Sequence, residues 1–307
     1  MFEPFKLSKK DFLSNLDISK EEINHLFELT EYLKYKKLEL NLKDKVLGMI
    51  FDKSSTRTRV SFQVAMSRLG GTTIELNPNT SQIGRGEPIK DTSRVLSRYC
   101  DVLAIRTFEQ SDIEEYAKWS TNPVINALTD IEHPCQSLTD FFTIKEEFGD
   151  FKDVTLTFIG DSNNVANSLI FCGALLGVEV RIASPKGYEP NPSIISRARK
   201  INNNFLKIFN NPYDAVKGAN VLYTDVWSSM GEESKKEKKD SDFAGFTVND
   251  DLINHADNEA IVLHCLPAYR GKEITENVIE SRKSKVFIQA ENRMHVQQAL
   301  LSCLLLK

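Results

Sequence analysis

Short runs of apolar and β-branched residues alternate with segments of helical periodicity along most of the chain. The runs predict strands, and the segments between them, such as Asp91–Tyr99, Asn164–Leu176 and Pro192–Ile201, predict helices. Strands that alternate with helices favour parallel sheets covered by helices, and hence an α/β fold. The predicted strands are Val46–Phe51, Thr72–Leu76, Val102–Thr107 and Val124–Leu128 in the first half, and Val154–Gly160, Val178–Ala183, Phe205–Phe209, Val221–Val226, Ile261–Leu266 and Val286–Gln289 in the second.

The first helix is predicted from the sequence at its start. Ser19 and Glu22 have the spacing of a capping box, and Ile18 and Ile23 stand at the positions of a hydrophobic staple. A length of 307 residues is enough for two domains with separate cores. We expect the boundary between them near a helix that begins at His133.

Composition excludes several classes of partner. Lysine and arginine number 39 against 43 acidic residues, so neither a nucleic acid nor an acidic membrane is expected as a partner, and any anion site must be local. The five cysteines contain no Cys-x-x-Cys pair, which argues against a disulfide framework or a zinc ribbon and favours a reducing cytosol. No apolar stretch is long enough for a signal peptide or a membrane span, so we expect a soluble, cytoplasmic protein.

A candidate anion site follows the first predicted strand. Ser55-Thr-Arg-Thr58 stands where a helical pattern begins. Hydroxyls and free backbone N–H groups at a helix N-terminus, with Arg57 and Arg59 beside them, suit a doubly charged phosphate. The alternative reading, with Ser54 as an N-cap and the arginines as surface charge, is equally compatible with the local pattern.

Four more polar motifs stand near strand ends or at predicted turns. His133 and Gln136 offer hydrogen-bond donors for a carbonyl oxygen, although a single histidine is more often structural. Asp225 offers an anion for an ammonium group, whereas Cys265 taken alone is more often a small buried apolar residue. The asparagines of Gly160-Asp-Ser-Asn-Asn164 suit a zwitterion, although a polar turn with an asparagine cap is favoured when the motif is taken alone.

One segment has the composition of a solvated, mobile loop. Lysines and acids crowd together over Glu232–Asp242, after Gly231. Its charge and its position after the Asp225 motif suggest a lid, but no further function is assigned to it.

Taken together, six motifs resemble the ornithine carbamoyltransferases. The resemblance extends over almost the whole chain. The Ser-Thr-Arg-Thr and His-Pro-x-Gln motifs are shared with aspartate carbamoyltransferase, whereas the Asp225 and His264 motifs point to ornithine. The six are Ser55-Thr-Arg-Thr58, Arg106 in Ala-Ile-Arg-Thr, His133-Pro-Cys-Gln136, Asp225-Val-Trp-Ser-Ser-Met-Gly231, His264-Cys-Leu-Pro267 and Glu291-Asn-Arg293.

The resemblance implies both a fold and a reaction. The fold would have two α/β domains, each a parallel sheet flanked by helices, with the active site in the cleft between them. Residues 1–132 with a C-terminal helix 292–307 would bind carbamoyl phosphate, and residues 133–291 would bind ornithine. The reaction would move the carbamoyl group to the δ-amine of L-ornithine, giving L-citrulline and phosphate, a step of arginine biosynthesis or of a urea-cycle type. No metal or organic cofactor is expected, since carbamoyl phosphate is already activated.

The same resemblance assigns residues to roles. Catalysis would fall to Arg106, His133, Cys265 and Asp225: the first two, with Thr58, donate to the carbonyl oxygen, and the last two help to deprotonate the amine. Ornithine would be held by Asn164, Asp225, Ser229 and Met230. Carbamoyl phosphate would be held by Ser55, Thr56, Arg57, Thr58, Gln82, Arg106, His133, Gln136, Cys265, Leu266 and Arg293, with Gln82 supplied by a neighbouring subunit of a homotrimer.

Three rival functions are weighed against this one. A carbamoyltransferase for aspartate, putrescine or an acylated ornithine is the nearest; Asp225 argues against an acidic acceptor, and Ser229 with Met230 argues for a free α-amino acid. A nucleotide-dependent oxidoreductase is suggested by Gly160, but the second and third glycines of a dinucleotide-binding loop are missing. A non-catalytic scaffold is disfavoured because every motif position is present. The anabolic direction is favoured over the catabolic one.

Overall fold

The computed structural model describes residues 5–36, 38, 40–52, 55–77, 86–228 and 236–306. The chain divides into two compact units, the first formed by Met1–Thr139 with Glu291–Lys307 and the second by Asp140–Ala290. Within the described residues, no helix combines the length and apolar character that crossing a membrane requires. The predicted α/β fold with two helix-flanked parallel sheets is confirmed.

Unit 1 is built on a four-stranded parallel sheet in the order β2-β1-β3-β4. The capping box predicted at the first helix is present: the Ser19 hydroxyl accepts from the Glu22 N–H, and the Glu22 carboxylate accepts from the Ser19 N–H. The elements are α1 (Lys20–Tyr35), β1 (Val46–Phe51), α2 (Thr56–Arg68), β2 (Thr72–Leu76), α3 (Ile89–Leu96), β3 (Val102–Arg106), α4 (Gln110–Trp119), β4 (Val124–Leu128) and α5 (Pro134–Phe148), which continues into unit 2.

Unit 2 is built on a five-stranded parallel sheet in the order β7-β6-β5-β8-β9. Its strands β5, β8 and β9 are mostly apolar and buried, as expected for a parallel sheet covered on both faces, whereas β6 and β7 include the charged residues Glu179, Arg181 and Lys207. The elements are β5 (Thr155–Ile159), α6 (Asn164–Leu176), β6 (Glu179–Ala183), α7 (Pro192–Arg199), β7 (Leu206–Phe209), α8 (Pro212–Val216), β8 (Val221–Thr224), α9 (Lys236–Asp242), α10 (Asp250–Ile253), β9 (Ile261–His264), α11 (Glu276–Ile279) and α12 (Val286–Leu305), whose later turns belong to unit 1.

The C-terminal helix begins earlier than predicted. Val286–Gln289 was predicted to be a strand, and that prediction is wrong, because these residues form the first turn of α12. Strand-like pairing occurs just before them: Ser284 bridges Val262, and the N–H of Lys285 donates to the carbonyl of Val262. The Glu291-Asn-Arg293 motif therefore lies within α12 and not before it.

The charged segment after Gly231 is not wholly a loop. The prediction of a solvated, mobile loop is wrong for Lys236–Asp242, which forms α9. Lys239 is buried, and its ammonium pairs with Asp161, a partner far away in sequence that composition does not reveal. Residues 231–235 lie outside the described part of the chain.

Candidate active site

The first group of predicted site residues lies where β1 ends and α2 begins. Ser55 is the N-cap residue of α2, and its side chain makes no capping hydrogen bond to the helix. It accepts one from Arg106 instead, with 3.4 Å between Nη1 and Oγ. In the first turn, Thr56 and Arg57 are exposed, whereas Thr58 is fully buried. The start of α2 thus presents the hydroxyls of Ser55 and Thr58 toward Arg106 and leaves the charge of Arg57 at the surface.

Two buried guanidinium groups approach the hydroxyl of Thr58. Arg106 ends β3, the neighbour of β1 in the sheet, and its Nη1 lies 3.5 Å from Thr58 Oγ1. Arg293 of α12 donates from Nη2 to the same oxygen. The two arginines are only 6% and 4% exposed. Two cations brought together out of water beside a helix N-terminus form a strong site for an anion.

His133 stands beside these cations. It follows β4 and precedes α5, and its Nε2 lies 3.5 Å from Nη2 of Arg293. Burial, and then the charges of Arg293 and Arg106, hold the pKa of His133 well below its ordinary value. The imidazole is therefore neutral at neutral pH and has one N–H donor to offer. We call Thr58, Arg106, His133 and Arg293 the arginine cluster.

Two further residues of the His133 motif are buried. The backbone N–H of Gln136 donates to the carbonyl of His133 at 3.0 Å, which fixes the first turn of α5. Cys135 donates from Sγ to the carbonyl of Asn126 at 3.5 Å, and burial raises the pKa of its thiol to about 12. Cys135 is therefore a protonated packing residue and not a nucleophile.

The second group of predicted residues lies at the carboxyl ends of β5, β8 and β9, which are neighbours in the sheet of unit 2. Asp225, 7% exposed, accepts hydrogen bonds from two neutral groups. Asn163 Nδ2 donates to one carboxylate oxygen at 2.8 Å, and Cys265 Sγ donates to the other at 3.1 Å. We call Asn163, Asp225 and Cys265 the carboxylate cluster. Both donors are neutral, so the cluster presents the negative charge of Asp225.

A buried histidine–glutamate pair supports the segment that follows Cys265. His264 Nε2 lies 3.2 Å from an oxygen of Glu273, and the side chains are 0% and 1% exposed. The N–H of Leu266 donates to Nδ1 of the same ring at 2.9 Å, so the ring proton is on Nε2 and points at Glu273. Leu266 has a φ of 59°, a left-handed conformation that a leucine rarely adopts. The pair therefore holds a backbone conformation that leucine alone would avoid.

The donor atoms of Asp225, His264 and Cys265 lie within 4.8 Å of one another. Such a set is able to hold a metal ion only if each group keeps a free lone pair. Here Nδ1 of His264 accepts from Leu266 and Nε2 faces Glu273. The imidazole has no lone pair to spare in this arrangement, so we assign the three residues to hydrogen bonding.

The structure brings seven of the predicted site residues into these two groups. Ser55, Thr58, Arg106, His133 and Arg293 lie together in unit 1, and Asp225 and Cys265 lie together in unit 2. Asn164 is the first residue of α6 and is half-buried. Gln82, Ser229 and Met230 lie outside the described residues.

Three residues that bind Asp225 or His264 were not predicted as site residues. Asn163 caps α6 through its Oδ1 and also binds Asp225; the preference for asparagine at the N-cap would have singled it out. Glu273 stands nine residues after His264 in an irregular segment, and no sequence pattern marks it. Gln289 accepts from the N–H of His264 at 2.9 Å and donates to Asp140 at 2.6 Å. Gln289 was missed because the sequence analysis placed it in a strand, with no role at the site.

Comparisons with known proteins identify the family of both halves of the chain. Residues 10–146 match the model of the aspartate/ornithine carbamoyltransferase carbamoyl-P binding domain, and residues 152–304 match that of the Asp/Orn binding domain. The ornithine carbamoyltransferase of Prochlorococcus marinus subsp. pastoris is 72% identical, with 99% of this chain and 100% of that protein covered. That of Nostoc punctiforme is 53% identical over 96% of this chain and 97% of its own length.

Solved structures give the same result. The ornithine carbamoyltransferase from Pyrococcus furiosus is 45% identical with a TM-score of 0.93, and 98% of each chain is covered. The anabolic ornithine carbamoyltransferase from Campylobacter jejuni is 42% identical with a TM-score of 0.91, covering 96% of this chain and 99% of that one. With both halves matched and the identity this high, the chain belongs to the aspartate/ornithine carbamoyltransferase family, and within it to the ornithine carbamoyltransferases.

Proposed function

We propose that this chain transfers the carbamoyl group of carbamoyl phosphate to the δ-amine of L-ornithine, giving L-citrulline and phosphate. The observation that carries the proposal is the convergence of Arg106 and Arg293 on Thr58. Thr58 and Arg106 lie in the part of the chain that matches the carbamoyl-P binding model. Buried cations of this kind require an anionic ligand. An already activated acyl phosphate also needs no metal or organic cofactor.

The phosphate of the donor would bind at the start of α2. Ser55, Thr56 and Thr58 supply hydroxyls and backbone N–H groups, and Arg57 and Arg106 supply positive charge. Gln82 of a neighbouring subunit would add an amide. As the C–O bond breaks, negative charge passes to the phosphate oxygens, and the same cations stabilise it.

The carbonyl oxygen of the donor becomes an oxyanion when the amine attacks. Arg106, Thr58 and neutral His133 each have a donor for it. Because the cluster is buried, these donors act in a low dielectric, where they stabilise developing charge strongly. Gln136 and Arg293, with the backbone carbonyls of Cys265 and Leu266, would orient the carbamoyl amide.

The acceptor would bind at the carboxylate cluster. Asp225 would pair with the α-ammonium of ornithine, and Asn164, Ser229 and Met230 would bind its other polar atoms. A new N–C bond forms as the C–O bond to phosphate breaks, and the amine then loses a proton. Asp225 and Cys265 are the groups proposed to help remove it, since the thiol and carboxylate already share a hydrogen bond.

The proposal extends to assembly and setting. Several apolar side chains of unit 1 are exposed to solvent in the single chain and would be covered in a homotrimer. The free thiols of all five cysteines favour a reducing compartment such as the cytoplasm. The anabolic direction, in arginine biosynthesis, is proposed as well. The exposed side chains are Val60, Val64, Ile74, Val95 and Tyr99.

One assay tests the reaction and its acceptor together. Purified protein is incubated with carbamoyl phosphate and, in parallel, with L-ornithine, N-acetylornithine, putrescine or L-aspartate, and the carbamoylated product is quantified. We expect rapid citrulline formation and little product from the other three amines. Faster turnover of any of these amines would replace ornithine as the acceptor, and no product from any amine would refute the transferase.

A further inference from the structure

Helix α9 is charged along its length, yet one face of it is buried. Lys239 is 4% exposed, and Phe243, directly after the end of the helix, is fully buried and donates from its N–H to the carbonyl of Lys239 at 2.9 Å. The Phe243 ring stacks on Trp227 with 5.4 Å between centroids and meets the edge of Tyr188 at 4.8 Å. Residues four apart lie on the same side of a helix. The ammonium of Lys239 therefore enters unit 2 on the same side as this aromatic group.

The buried ammonium meets a carboxylate at the end of a central strand. Lys239 Nζ lies 2.6 Å from Asp161 Oδ2, and the two side chains are 5% and 18% exposed. Burying the ammonium of a lysine costs desolvation free energy that a surface ion pair does not cost. Packed apolar residues in place of a buried ion pair often give a folded state of equal stability. A contribution to stability is therefore a weak explanation for a buried lysine–aspartate pair at this position.

Asp161 belongs to the turn that supports the carboxylate cluster. The turn runs from Gly160 to Asn163, between β5 and α6, and the N–H of Ser162 donates to the carbonyl of Tyr188 at 3.2 Å. Two residues after Asp161, Asn163 binds the carboxylate of Asp225. Lys239 thus holds one end of a four-residue turn whose other end orients Asp225.

The pair also distinguishes two carboxylates that stand at neighbouring strand ends. β5 and β8 pair in parallel, so Asp161 and Asp225 follow adjacent strands at the same edge of the sheet. Asp161 receives the charge of Lys239, whereas Asp225 receives the neutral amide of Asn163 and the neutral thiol of Cys265. An incoming ammonium group is therefore attracted to Asp225.

Two further contacts fix α9 against the loops of unit 2. Asp240 accepts from Lys272 at 2.5 Å, next to the Glu273 that holds His264. Asp242 accepts from the Tyr188 hydroxyl at 2.7 Å. Through these contacts α9 joins the segments that follow β5, β6 and β9.

We propose that Lys239 is a positioning residue for the acceptor amine. It fixes the turn that contains Asp161 and neutralises that carboxylate, so that the α-ammonium of ornithine pairs with Asp225. The inference rests on the proposed function, because it takes ornithine at Asp225 as the acceptor. Lys239 itself would not contact the substrate.

The test uses the full-length enzyme and five variants. Lys239→Met keeps the aliphatic stem and removes the charge, Asp161→Asn removes the partner, and the double variant removes both without leaving a buried unpaired charge. Lys239→Arg keeps the charge and the reach. The matched control is Lys238→Met, on the exposed side of the same helix. Urea unfolding of each protein identifies any variant that has lost its fold.

We expect the KM for ornithine to rise roughly 10- to 100-fold in both single variants and in the double variant, as for losing a group that orients a binding residue. The KM for carbamoyl phosphate should stay within about twofold of the parent value, since only acceptor binding is disturbed. Lys239→Arg should recover most of the ornithine affinity, and Lys238→Met should match the parent. A general loss of stability would not separate the two KM values in this way.

Two results would overturn the proposal: a parent-like KM for ornithine in the folded double variant, or an equal defect in Lys239→Arg and Lys239→Met. Calorimetric titration with L-ornithine measures the same contact without turnover. An inactive parent protein would count against the proposed function alone, because the titration still reports whether Lys239 affects ornithine binding.

Discussion

Arg293 donates a hydrogen bond to Thr58, although 235 positions separate the two residues along the chain. Thr58 lies in the first turn of α2, and Arg293 lies in the part of α12 that belongs to unit 1 and that follows unit 2 along the chain. The arginine cluster is therefore complete only when the last part of the chain has packed. A truncation before α12 would leave Arg106 as the one buried arginine of the cluster and weaken the anion site.

Arg57 provides a direct test of the phosphate site at α2. Arg57→Ala should weaken carbamoyl phosphate binding by about 2 kcal/mol, the lower end of the range for truncating one member of a charge pair, because Arg57 is exposed. Arg57→Lys should recover only part of this, since it lacks the planar fork that binds phosphate through two hydrogen bonds. Calorimetry makes the comparison, with Arg68→Ala in the last turn of the same helix as control. Unchanged affinity in both Arg57 variants would remove this residue from the site.

The pattern of the sequence was sufficient for the sheets and for most of the helices. Short runs rich in apolar or β-branched residues between helical segments marked nearly every strand, because the inner strands of a parallel sheet are buried on both faces. Val286–Gln289 was misread since its β-branched residues resemble a strand, and the pairing that a strand would make occurs instead at Ser284 and Lys285. Local composition does not show at which residue the pairing with a strand ends and the helix begins.

The candidate site was predictable where a motif is local and hidden where it depends on distant partners. Ser55, His133 and Asp225 each stand just after a strand, and that position made them candidates, whereas Arg106, the last residue of β3, became a candidate only through its motif. Glu273 and Lys239 act through His264 and Asp161, and only the packing of unit 2 brings these pairs together. By composition, the lysine-rich segment is predicted to be solvated. Composition averages the charge over all its residues, so it does not show that one of them, Lys239, is buried.

Assembly can be tested on the exposed apolar side chains of unit 1. Val95→Asp places a charge on a side chain that is 45% exposed in the single chain and that we expect to be covered in the trimer. Light scattering should report three chains for the parent protein and a smaller species for the variant, with loss of activity if Gln82 acts across subunits. Ile201→Asp, in unit 2 and 43% exposed, is the control. A fully active parent monomer at assay concentration would contradict the shared site.

Asp225 is the residue that we expect to select the acceptor. Asp225→Asn removes the charge expected to face the α-ammonium, while an amide oxygen remains to accept from Asn163. We expect kcat/KM for ornithine to fall by a factor that corresponds to a loss of about 3 kcal/mol in transition-state stabilisation, with carbamoyl phosphate binding unchanged. Steady-state kinetics at low ornithine make the measurement, and Asp214→Asn, on the surface of unit 2, is the control. Parent-like values in Asp225→Asn would mean that the ammonium binds elsewhere.

The lowered pKa of His133 has a consequence for stability. The folded state keeps this imidazole neutral, whereas the unfolded chain protonates it below about pH 6.5. The unfolded state then binds more protons, so stability is lost as the pH falls from about 6.5 towards the folded pKa. His133→Gln should reduce the difference between unfolding free energies measured at pH 7 and pH 5 by urea titration. His25→Gln, an exposed histidine in α1, serves as the control. An acid dependence as steep as that of the parent would contradict burial of a neutral ring.

The pH dependence of the reaction separates the role of His133 from that of a general base. A free alkyl ammonium has a pKa of about 10.4, so at pH 7 roughly one ornithine δ-amine in 2,500 has the lone pair needed for attack. kcat/KM for ornithine should therefore rise with pH across the neutral range, with a slope of about one on a logarithmic scale. His133 does not titrate in that range, because burial and the two arginines lower its pKa. His133→Gln, whose amide can donate the same hydrogen bond, should lower the rate and keep the slope. pH–rate profiles of both proteins at saturating carbamoyl phosphate make the comparison, and a profile that becomes flat in the glutamine variant would mean that His133 is the base.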